Sequence, residues 1–318
     1  MINVSVRKYA GEGDLQALAN LINTCETVDC QEEGTSVTEL QLELNSPLID
    51  KGRDICLWQD DRGRLVGFAK ILIIKTKETS DGWLLYRIHP EARGGELEKE
   101  IFTWAEKRMW EVEGARNMPV KLRYWGRAER SDEIALLASF GFTGDRYFYR
   151  MKRALSEPIP EPQFPQGFTL HQGAQQDTEA WVQMFNDSFI DHWNPYDVTI
   201  EEIKYELTKP TYKPELDLKA VAPDGTSAAF CYCSINPYQN ARIGRAEGWI
   251  TFLGTRRGFR KIGLGRAMLL SGLRRLKAVG MEEALLIVDT ENPTGALRLY
   301  ESVGFCKVLT FISHVKKL

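Results

Sequence analysis

Apolar residues in the second half of the chain recur with helical spacing in some segments and with strand spacing in others. Trp181, Phe185 and Phe189 recur every four residues, which predicts a helix over 175–190 with one apolar face. A strand over 167–172 comes before that helix. The same reading predicts further strands at 217–222, 228–236, 243–254, 283–289 and 305–313, and helices at 199–207, 263–279 and 293–303.

Local signals support two of these boundaries. Thr199, with Glu202 three residues later, is the pattern of a capped helix start. The segment Pro223-Asp-Gly-Thr226 separates two β-rich stretches as a hairpin turn does. Hairpins early and a βαβ crossover late predict an α+β (mixed α/β) fold, with a mostly antiparallel mixed sheet flanked by helices.

The first half shows the same order of elements, which indicates an internal repeat. Three pairs of matching residues share a spacing of 162 to 164 positions: Val4 with Phe168, Phe68 with Phe230, and Phe142 with Phe305. Between the copies, residues 156–166 contain four prolines, which predicts an extended tether rather than part of a sheet. We therefore expect one domain over 1–155, a linker over 156–166 and a second domain over 167–318.

Composition narrows the function classes. The 318 residues are 43% hydrophobic, enough for two cores, and 41 Lys and Arg against 44 Asp and Glu give a net charge of −3. That balance carries no footprint of nucleic-acid binding. No apolar run approaches the ~20 residues of a membrane helix, and residues 1–7 alternate like a strand rather than a signal peptide. Six cysteines without a CxxC pair predict reduced core thiols, no metal site and a cytoplasmic protein.

The most informative segment is 249–266, where an apolar strand is followed by a basic, glycine-rich loop and an amphipathic helix. The unpaired amides at the start of such a helix form a cradle for phosphate. A Walker loop would need Lys at Leu264, and a dinucleotide fingerprint would need Gly at Met268, so both fail. What remains is the pattern R-x-x-G-x-G, formed by Arg260, Gly263 and Gly265.

At this loop the sequence resembles the GNAT superfamily of acyl-CoA-dependent N-acetyltransferases, whose signature loop has this pattern. The segment Asn292–Phe305, with Tyr300 and a closing Gly304-Phe305, is similar to a second motif of that superfamily. The resemblance covers the second half, and the repeat extends the fold to the first, as in tandem two-domain members.

The resemblance implies that the second domain binds acetyl-CoA. Backbone amides of the loop would hold the pyrophosphate, the end of the preceding strand would pair with the pantetheine arm, and Asn292 would either touch that arm or cap its helix. Gly254 at the strand end suggests close backbone approach or a bulge. The implied acetyl-CoA-binding residues are Leu253, Gly254, Thr255, Arg260, Lys261, Ile262, Gly263, Leu264, Gly265, Arg266 and Asn292.

The resemblance also assigns roles in catalysis. Tyr300 occupies the position of the family's proton donor to the thiolate, the alternative being a tyrosine packed in the core. Glu247 is the candidate base, placed by period two on one strand face with Trp249, Thr251 and Leu253. An exposed structural glutamate is the alternative there.

Three further residues, Asp187, Asp191 and His192, lie where the family's first helix meets the acceptor, and would select substrate rather than move protons.

The first copy lacks these features. Aligning Arg93 with Arg260 sets Glu96 on Gly263 and Glu98 on Gly265, and two glutamates at a helix start repel phosphate. Aligning the Gly-Phe pairs sets Leu137 on Tyr300 and Glu129 on Asn292. The first domain therefore reads as a degenerate copy that packs against the second or shapes the acceptor pocket.

Two functions from different classes fit these observations. One is an N-acetyltransferase that acts on a primary amine of a small molecule or a peptide amino terminus, and the other is a non-catalytic acyl-CoA- or ligand-binding module. The intact loop together with Tyr300 favours the enzyme. The expected partners are acetyl-CoA and an amine, with no metal, nucleic acid or membrane. A monomer with an internal pseudo-dimer and a homodimer both remain open.

Overall fold

A computed structural model describes residues 4–173 and 177–318, so the predicted helix start at 175 and residues 1–3 lie outside the described part. The chain forms two compact units. The first contains the described residues up to Arg146 together with Phe311–Leu318, and the second contains Tyr147–Thr310. These bounds differ from the two contiguous domains that the sequence suggested. Residues 147–155 belong to the second unit, and the carboxyl-terminal segment belongs to the first.

The first unit follows the predicted order of strands and helices. Its elements are β1 (Val4–Lys8), α1 (Leu15–Asp29), α2 (Val37–Leu44), β2 (Ile55–Asp60), β3 (Leu65–Lys75), β4 (Ser80–Ile88), α3 (Glu96–Arg116), β5 (Val120–Arg127), α4 (Ser131–Ser139) and the start of β6 (Thr143–Ala154).

The second unit repeats that order with one insertion, the helix α7. Its elements are the rest of β6, β7 (Thr169–Gln172), α5 (Thr178–Phe189), α6 (Ile200–Glu206), β8 (Asp217–Val221), β9 (Ser227–Ser234), α7 (Pro237–Ile243), β10 (Glu247–Thr255), α8 (Leu264–Ala278), β11 (Glu283–Asp289), α9 (Ala296–Ser302) and the start of β12 (Cys306–Lys317).

Several predicted boundaries are confirmed, and others need correction. Thr199 caps α6 and forms the expected reciprocal pair with Glu202. The strand predicted to begin at 243 begins instead at Glu247, because α7 precedes it. Asn236 caps α7, and Pro237 is its first helical residue. This pair is a helix-start signal that the sequence contains. The helix predicted over 293–303 begins only at Ala296.

Within each unit the strands pair side by side in one order. In the first unit the strand order is β1-β2-β3-β4-β5-β12, where β12 contributes the residues from Phe311 onward. In the second it is β6-β11-β10-β9-β8-β7, where β6 contributes the residues from Phe148 onward. Every recorded pair is antiparallel except β4–β5 and β10–β11, which are parallel. Such a mixed, mostly antiparallel sheet is the fold class expected from the sequence.

The parallel pairs open at one end. In the second unit the recorded register stops at Trp249↔Leu285, although β10 continues to Thr255 and β11 to Asp289. The first unit does the same beyond Leu84↔Tyr124. On its other side, β10 stays paired with β9 through Thr255. Each unit therefore has a gap between its two parallel strands.

The cores confirm part of the cysteine interpretation. All six cysteines are free, and Cys231 and Cys233 lie fully buried under α8 with their Sγ atoms 3.7 Å apart. Gly272 allows α8 to pack closely on these two cysteines, since a Cβ there would lie 2.5 Å from the Cys231 Sγ. Cys30 and Cys306 are exposed, which corrects the expectation that all six are core residues.

The proline-rich segment contains no strand or helix, as predicted, and it packs rather than hanging free. Ile159 and Phe164 contact the core of the second unit. The Arg153 guanidinium donates to the Pro158 carbonyl at 2.8 Å. Its chain path is therefore fixed by buried apolar side chains and a backbone hydrogen bond.

Candidate active site

The loop before α8 has the geometry of a phosphate cradle. Lys261 and Gly263 adopt the left-handed conformation, with φ of 65° and 87°, and they turn the chain sharply into the helix. Gly263 caps α8 without any side-chain hydrogen bond, and no acidic residue lies in the first turn. The first recorded helical amide bond runs from Ala267 to the Gly263 carbonyl. Among the described residues, the α8 amides before Ala267 have no hydrogen-bond partner. Unpaired amides at the start of a helix can bind an anion.

The arginines of this loop are held by α5 and the turn that follows it. Arg260 donates to Asp191 at 2.6 Å and to the carbonyls of Thr255 and Ser188 at 3.0 Å each. Arg257 also pairs with Asp191, with Nε at 3.2 Å. Hydrogen bonds from these two guanidinium groups lower the pKa of Asp191 to about 2.

This network changes the interpretation of Asp187, on α5, and Asp191, in the turn after it. Asp187 forms an ion pair with Arg256 at 2.6 Å, as Asp191 does with its two arginines. Both carboxylates that were expected to select the acceptor therefore brace the loop. His192 hydrogen-bonds the carbonyl of Trp193 instead. No local pattern indicates these ion pairs, because 69 positions separate Asp187 from Arg256.

The loop, the end of β10 and α9 converge at Gly265. A Cβ at this position would lie 3.4 Å from the Thr255 Oγ1 and 3.9 Å from the Leu299 Cδ2. Arg266, one residue further, donates to the Ser302 hydroxyl at 2.7 Å. The cradle therefore begins beside the helix that carries Tyr300.

Tyr300 is buried, with 8% of its surface exposed, and its ring meets Phe305 edge-on at 5.9 Å. Burial is the main cause that raises the pKa of its hydroxyl, and the neighbouring Cys231 thiol adds to it. Among the described residues, no hydrogen-bond partner is recorded for this hydroxyl. It is thus a protonated donor that the surrounding protein leaves available.

Asn292 lies outside α9 rather than at its start. Its side chain accepts from the Thr294 amide at 2.9 Å and from the Thr294 hydroxyl at 2.5 Å, closing a local turn. Gly295, with φ of 79°, caps α9 instead. The alternative in which Asn292 is a helix cap is therefore wrong.

Glu247 is the first residue of β10 and lies at the end of the strand that is still paired with β11. It is 6% exposed, and its Oε1 accepts from the Arg245 Nε at 2.6 Å. It is a buried, ion-paired carboxylate and not an exposed strand-end glutamate.

A bulge in β10 changes which residues lie on the same strand face as Glu247, so the predicted face is wrong in part. The β9 register shifts between Ile250 and Phe252, so alternation breaks at Thr251. Leu253 then packs with the core beneath α8, while Phe252 packs on Phe185 of α5. Leu253 therefore does not share the face that begins at Glu247.

In the first unit, a side chain of α3 itself binds the amides at the start of that helix. Gly95 caps α3 as Gly263 caps α8, so by cap position Glu96 matches Leu264 and Glu98 matches Arg266. This shifts the sequence alignment of the loop by one residue. The Glu98 carboxylate accepts from the amides of Gly95 at 2.8 Å and Gly94 at 3.4 Å.

The match of Leu137 to Tyr300 agrees with the backbone in both units. The Phe142 amide donates to the Leu137 carbonyl at 3.0 Å, and the Phe305 amide donates to the Tyr300 carbonyl at 3.1 Å. Leu137 is fully buried. The first unit thus has an apolar side chain where the second has a hydroxyl.

Comparisons with known proteins agree with this geometry. The profile of the Acetyltransferase (GNAT) family matches residues 178–305. A mycothiol acetyltransferase from Thermobispora bispora is 28% identical over 311 residues, which is 96% of each chain. One from Frankia alni is 31% identical over 195 residues, 59% of this chain and 58% of that protein.

Solved structures show the same fold over almost the whole chain. A GCN5-related N-acetyltransferase from Sphaerobacter thermophilus superposes with a TM-score of 0.74 at 24% identity, covering 99% of this chain and 95% of the other. A tandem GNAT protein from the clavulanic acid biosynthesis pathway gives 0.71 at 15% identity, covering 100% and 98%.

Two kinds of feature are absent from the described residues. No group of three or more His, Cys, Asp or Glu side chains is arranged to hold a metal ion. No helix in that part of the chain has the length and apolar character needed to cross a membrane.

Proposed function

We propose that this chain is a tandem member of the GNAT family of acetyltransferases, and that its second unit transfers the acetyl group of acetyl-CoA to the primary amine of a small molecule. The observation that carries the placement is the contrast between the two helix starts. The amides before α8 have no capping side chain, whereas those before α3 are bound by Glu98. The relatives are named mycothiol acetyltransferases, which supports a small-molecule acceptor over a peptide amino terminus.

The amides from Lys261 to Arg266 bind the diphosphate of acetyl-CoA in this proposal. The side chains of Lys261 and Arg266 add positive charge, because neither forms an ion pair with an acid among the described residues. The free edge of Leu253–Thr255, which faces the gap between β10 and β11, pairs with the pantetheine arm. The bracing by Asp191 keeps Arg260 away from phosphate and fixes the loop instead. Asn292 lies near the start of α9 and contacts the same arm.

Proton transfer is assigned to two residues. The neutral amine attacks the thioester carbonyl, the new C–N bond forms, and the C–S bond breaks. Tyr300 donates its proton to the departing thiolate, and its raised pKa keeps that proton available. Glu247 receives the amine proton, directly or through water. Its Oε1 accepts a hydrogen bond from the Arg245 Nε at 2.6 Å, which holds the carboxylate in place.

The alternative of a binding module without turnover is not favoured, because the buried Tyr300 hydroxyl and the uncapped loop occur together in one unit. The first unit is proposed as a copy without acetyl transfer. Four buried free cysteines support a reducing compartment, and we place the protein in the cytoplasm.

Release of the CoA thiol tests the function. The full chain is incubated with acetyl-CoA and a panel of primary amines, and free thiol is measured with a disulfide reagent. We expect amine-dependent thiol release that Gly263→Glu abolishes and Gly258→Ala leaves unchanged, since a Cβ at Gly258 meets nothing within 4 Å. Acetyl-CoA binding without thiol release for any amine would establish the binding module instead.

A further inference from the structure

The first unit contains a cavity of about 870 Å³ at the gap between its parallel strands. Residues 85–88 of β4 and 125–127 of β5 line it, beyond the last recorded pair of the two strands. Its volume lies within the roughly 300–1,000 Å³ range of small-molecule sites. The cavity does not belong to the catalytic arrangement of the second unit.

The wall of this cavity is aromatic and acidic. Seven acidic side chains line it against five basic ones. Every base lies within 4.0 Å of an acid: Lys70 of Glu43, Arg87 and Arg127 of Glu33, Arg93 of Asp29, and Arg130 of Asp132. The aromatic members are Phe68, Trp83, Tyr86, Tyr124, Trp125 and Phe311.

Glu133 is not one of the four acids paired above, although the charges of Arg130 and Arg87 act on it. Its Oε1 accepts from the Tyr124 hydroxyl at 2.8 Å, and in the described part of the chain it forms no ion pair with Lys or Arg. Its Oε2 lies 3.4 Å from the position of a Cβ on Gly126. The rings of Tyr86 and Tyr124 meet at 5.5 Å beside it. A carboxylate with one neutral partner thus faces a cavity wall that contains two tyrosine rings.

The same cavity is unsuited to a diphosphate. The amides of Gly94 and Gly95 line it, but Glu98 already binds them. An anion would therefore displace a carboxylate and enter a wall with excess negative charge.

We propose that this cavity binds a small organic amine in its protonated form, with Glu133 as its counter-ion. The ammonium group lies against the faces of Tyr86 and Tyr124, where the ring quadrupoles attract a cation. The Nε of Arg127 is buried without a hydrogen-bond partner, and it donates to a hydroxyl or carbonyl oxygen of the same ligand. The ligand class is an amine that also carries an acceptor oxygen.

The test uses the full chain without acetyl-CoA, titrated calorimetrically with ethanolamine and, for comparison, with n-propylamine, which lacks the oxygen. Amide hydrogen exchange locates the bound amine, with protection expected in segments 83–88 and 124–127. Glu133→Gln keeps the shape and the Tyr124 hydrogen bond but removes the charge. We expect it to weaken ethanolamine binding by about tenfold or more. Glu129→Gln, an exposed acid outside the cavity, is the matched control and should leave binding unchanged.

Three outcomes would overturn the proposal: no ethanolamine binding up to millimolar concentrations, equal binding by Glu133→Gln, or acetyl-CoA protecting segments 83–88 and 124–127 instead. Should Glu133→Gln fail to fold, Tyr86→Leu removes one ring face and must also weaken binding. The inactive variant Gly263→Glu should retain the amine site, which separates this proposal from acetyl transfer in the second unit.

Discussion

The Glu98 carboxylate binds the Gly95 amide at 2.8 Å, at the position where the second unit has Arg266 relative to its capping Gly263. Both residues are third in their helices, so one position decides what the helix start can bind. A glutamate there closes the cap on itself, and an arginine leaves the amides free. The two helix starts thus differ in whether a side chain of the third residue binds the capping amide.

Arg266→Glu should transfer the first unit's cap to the second. The new carboxylate would bind the Gly263 amide, and we expect acetyl-CoA affinity to fall by about tenfold or more while the free energy of unfolding holds or rises by about 0.3–1 kcal/mol.

Calorimetry on the wild type should give one acetyl-CoA site per chain. At about 100 times the dissociation constant, acetyl-CoA should stabilise the protein by about 2.7 kcal/mol.

Arg266→Met is the control, since it removes the positive charge without adding a side-chain acceptor that could bind the Gly263 amide. Two equivalent sites in the wild type, or unchanged acetyl-CoA binding by both Arg266→Glu and Gly263→Glu, would contradict this assignment.

Tyr300→Phe should reduce turnover by roughly 10²- to 10⁴-fold with little change in acetyl-CoA affinity. The ring and its contact with Phe305 remain, and only the proton is lost. Because burial raises the pKa of Tyr300, wild-type kcat should show no loss from its ionisation up to about pH 9. Tyr147→Phe, at an exposed tyrosine, is the control. Wild-type rates from Tyr300→Phe would make the residue a core tyrosine.

Glu247→Gln should chiefly depress the acidic limb of the pH–rate profile, because a base must be ionised to accept the amine proton. The ion pair with Arg245 provides the competing structural role. Measuring kcat over pH together with the melting temperature separates the two. Arg245→Gln breaks the ion pair but leaves the carboxylate. Its main effect should therefore be a lower melting temperature, with little change in kcat. A Glu247→Gln variant with normal kcat and reduced stability would assign the residue to structure.

The sequence predicted what local patterns and chain order determine. The loop at Gly263, the cap at Thr199 and the repeat of elements all depend on residues close in sequence, and the structure confirms them. The missed features depend on distant contacts. Asp191 and Arg260 are 69 positions apart, and the bulge at Thr251 changes a strand face without a mark in the apolar pattern.

Asp191→Asn should raise the KM for acetyl-CoA by about threefold to tenfold and leave the KM for the amine unchanged. The loop loses its ion pairs with the turn after α5, whereas an acceptor-selecting residue would change the amine KM instead. A lowered pKa means that Asp191 contributes stability above its ordinary pKa of about 3.9, and that this is lost as pH falls towards about 2. Melting temperatures of wild type and variant should therefore differ at pH 7 and converge near pH 2. Exposed Asp197→Asn is the control.

Gly254→Ala should destabilise the second unit by about 1–3 kcal/mol, because the added Cβ would lie 2.7 Å from the Phe230 Cζ and 2.9 Å from the Ser188 Cβ. The glycine expected from the sequence to allow close approach thus allows the approach of a buried ring. Gly258→Ala, on the same stretch with nothing within 4 Å, should be neutral. Urea unfolding of Gly254→Ala, Phe230→Leu and the double variant measures the coupling. If the ring is the obstacle, the double variant is more stable than the sum of the single losses predicts. Strict additivity would instead place the glycine requirement on the Ser188 side, where α5 crosses the strand.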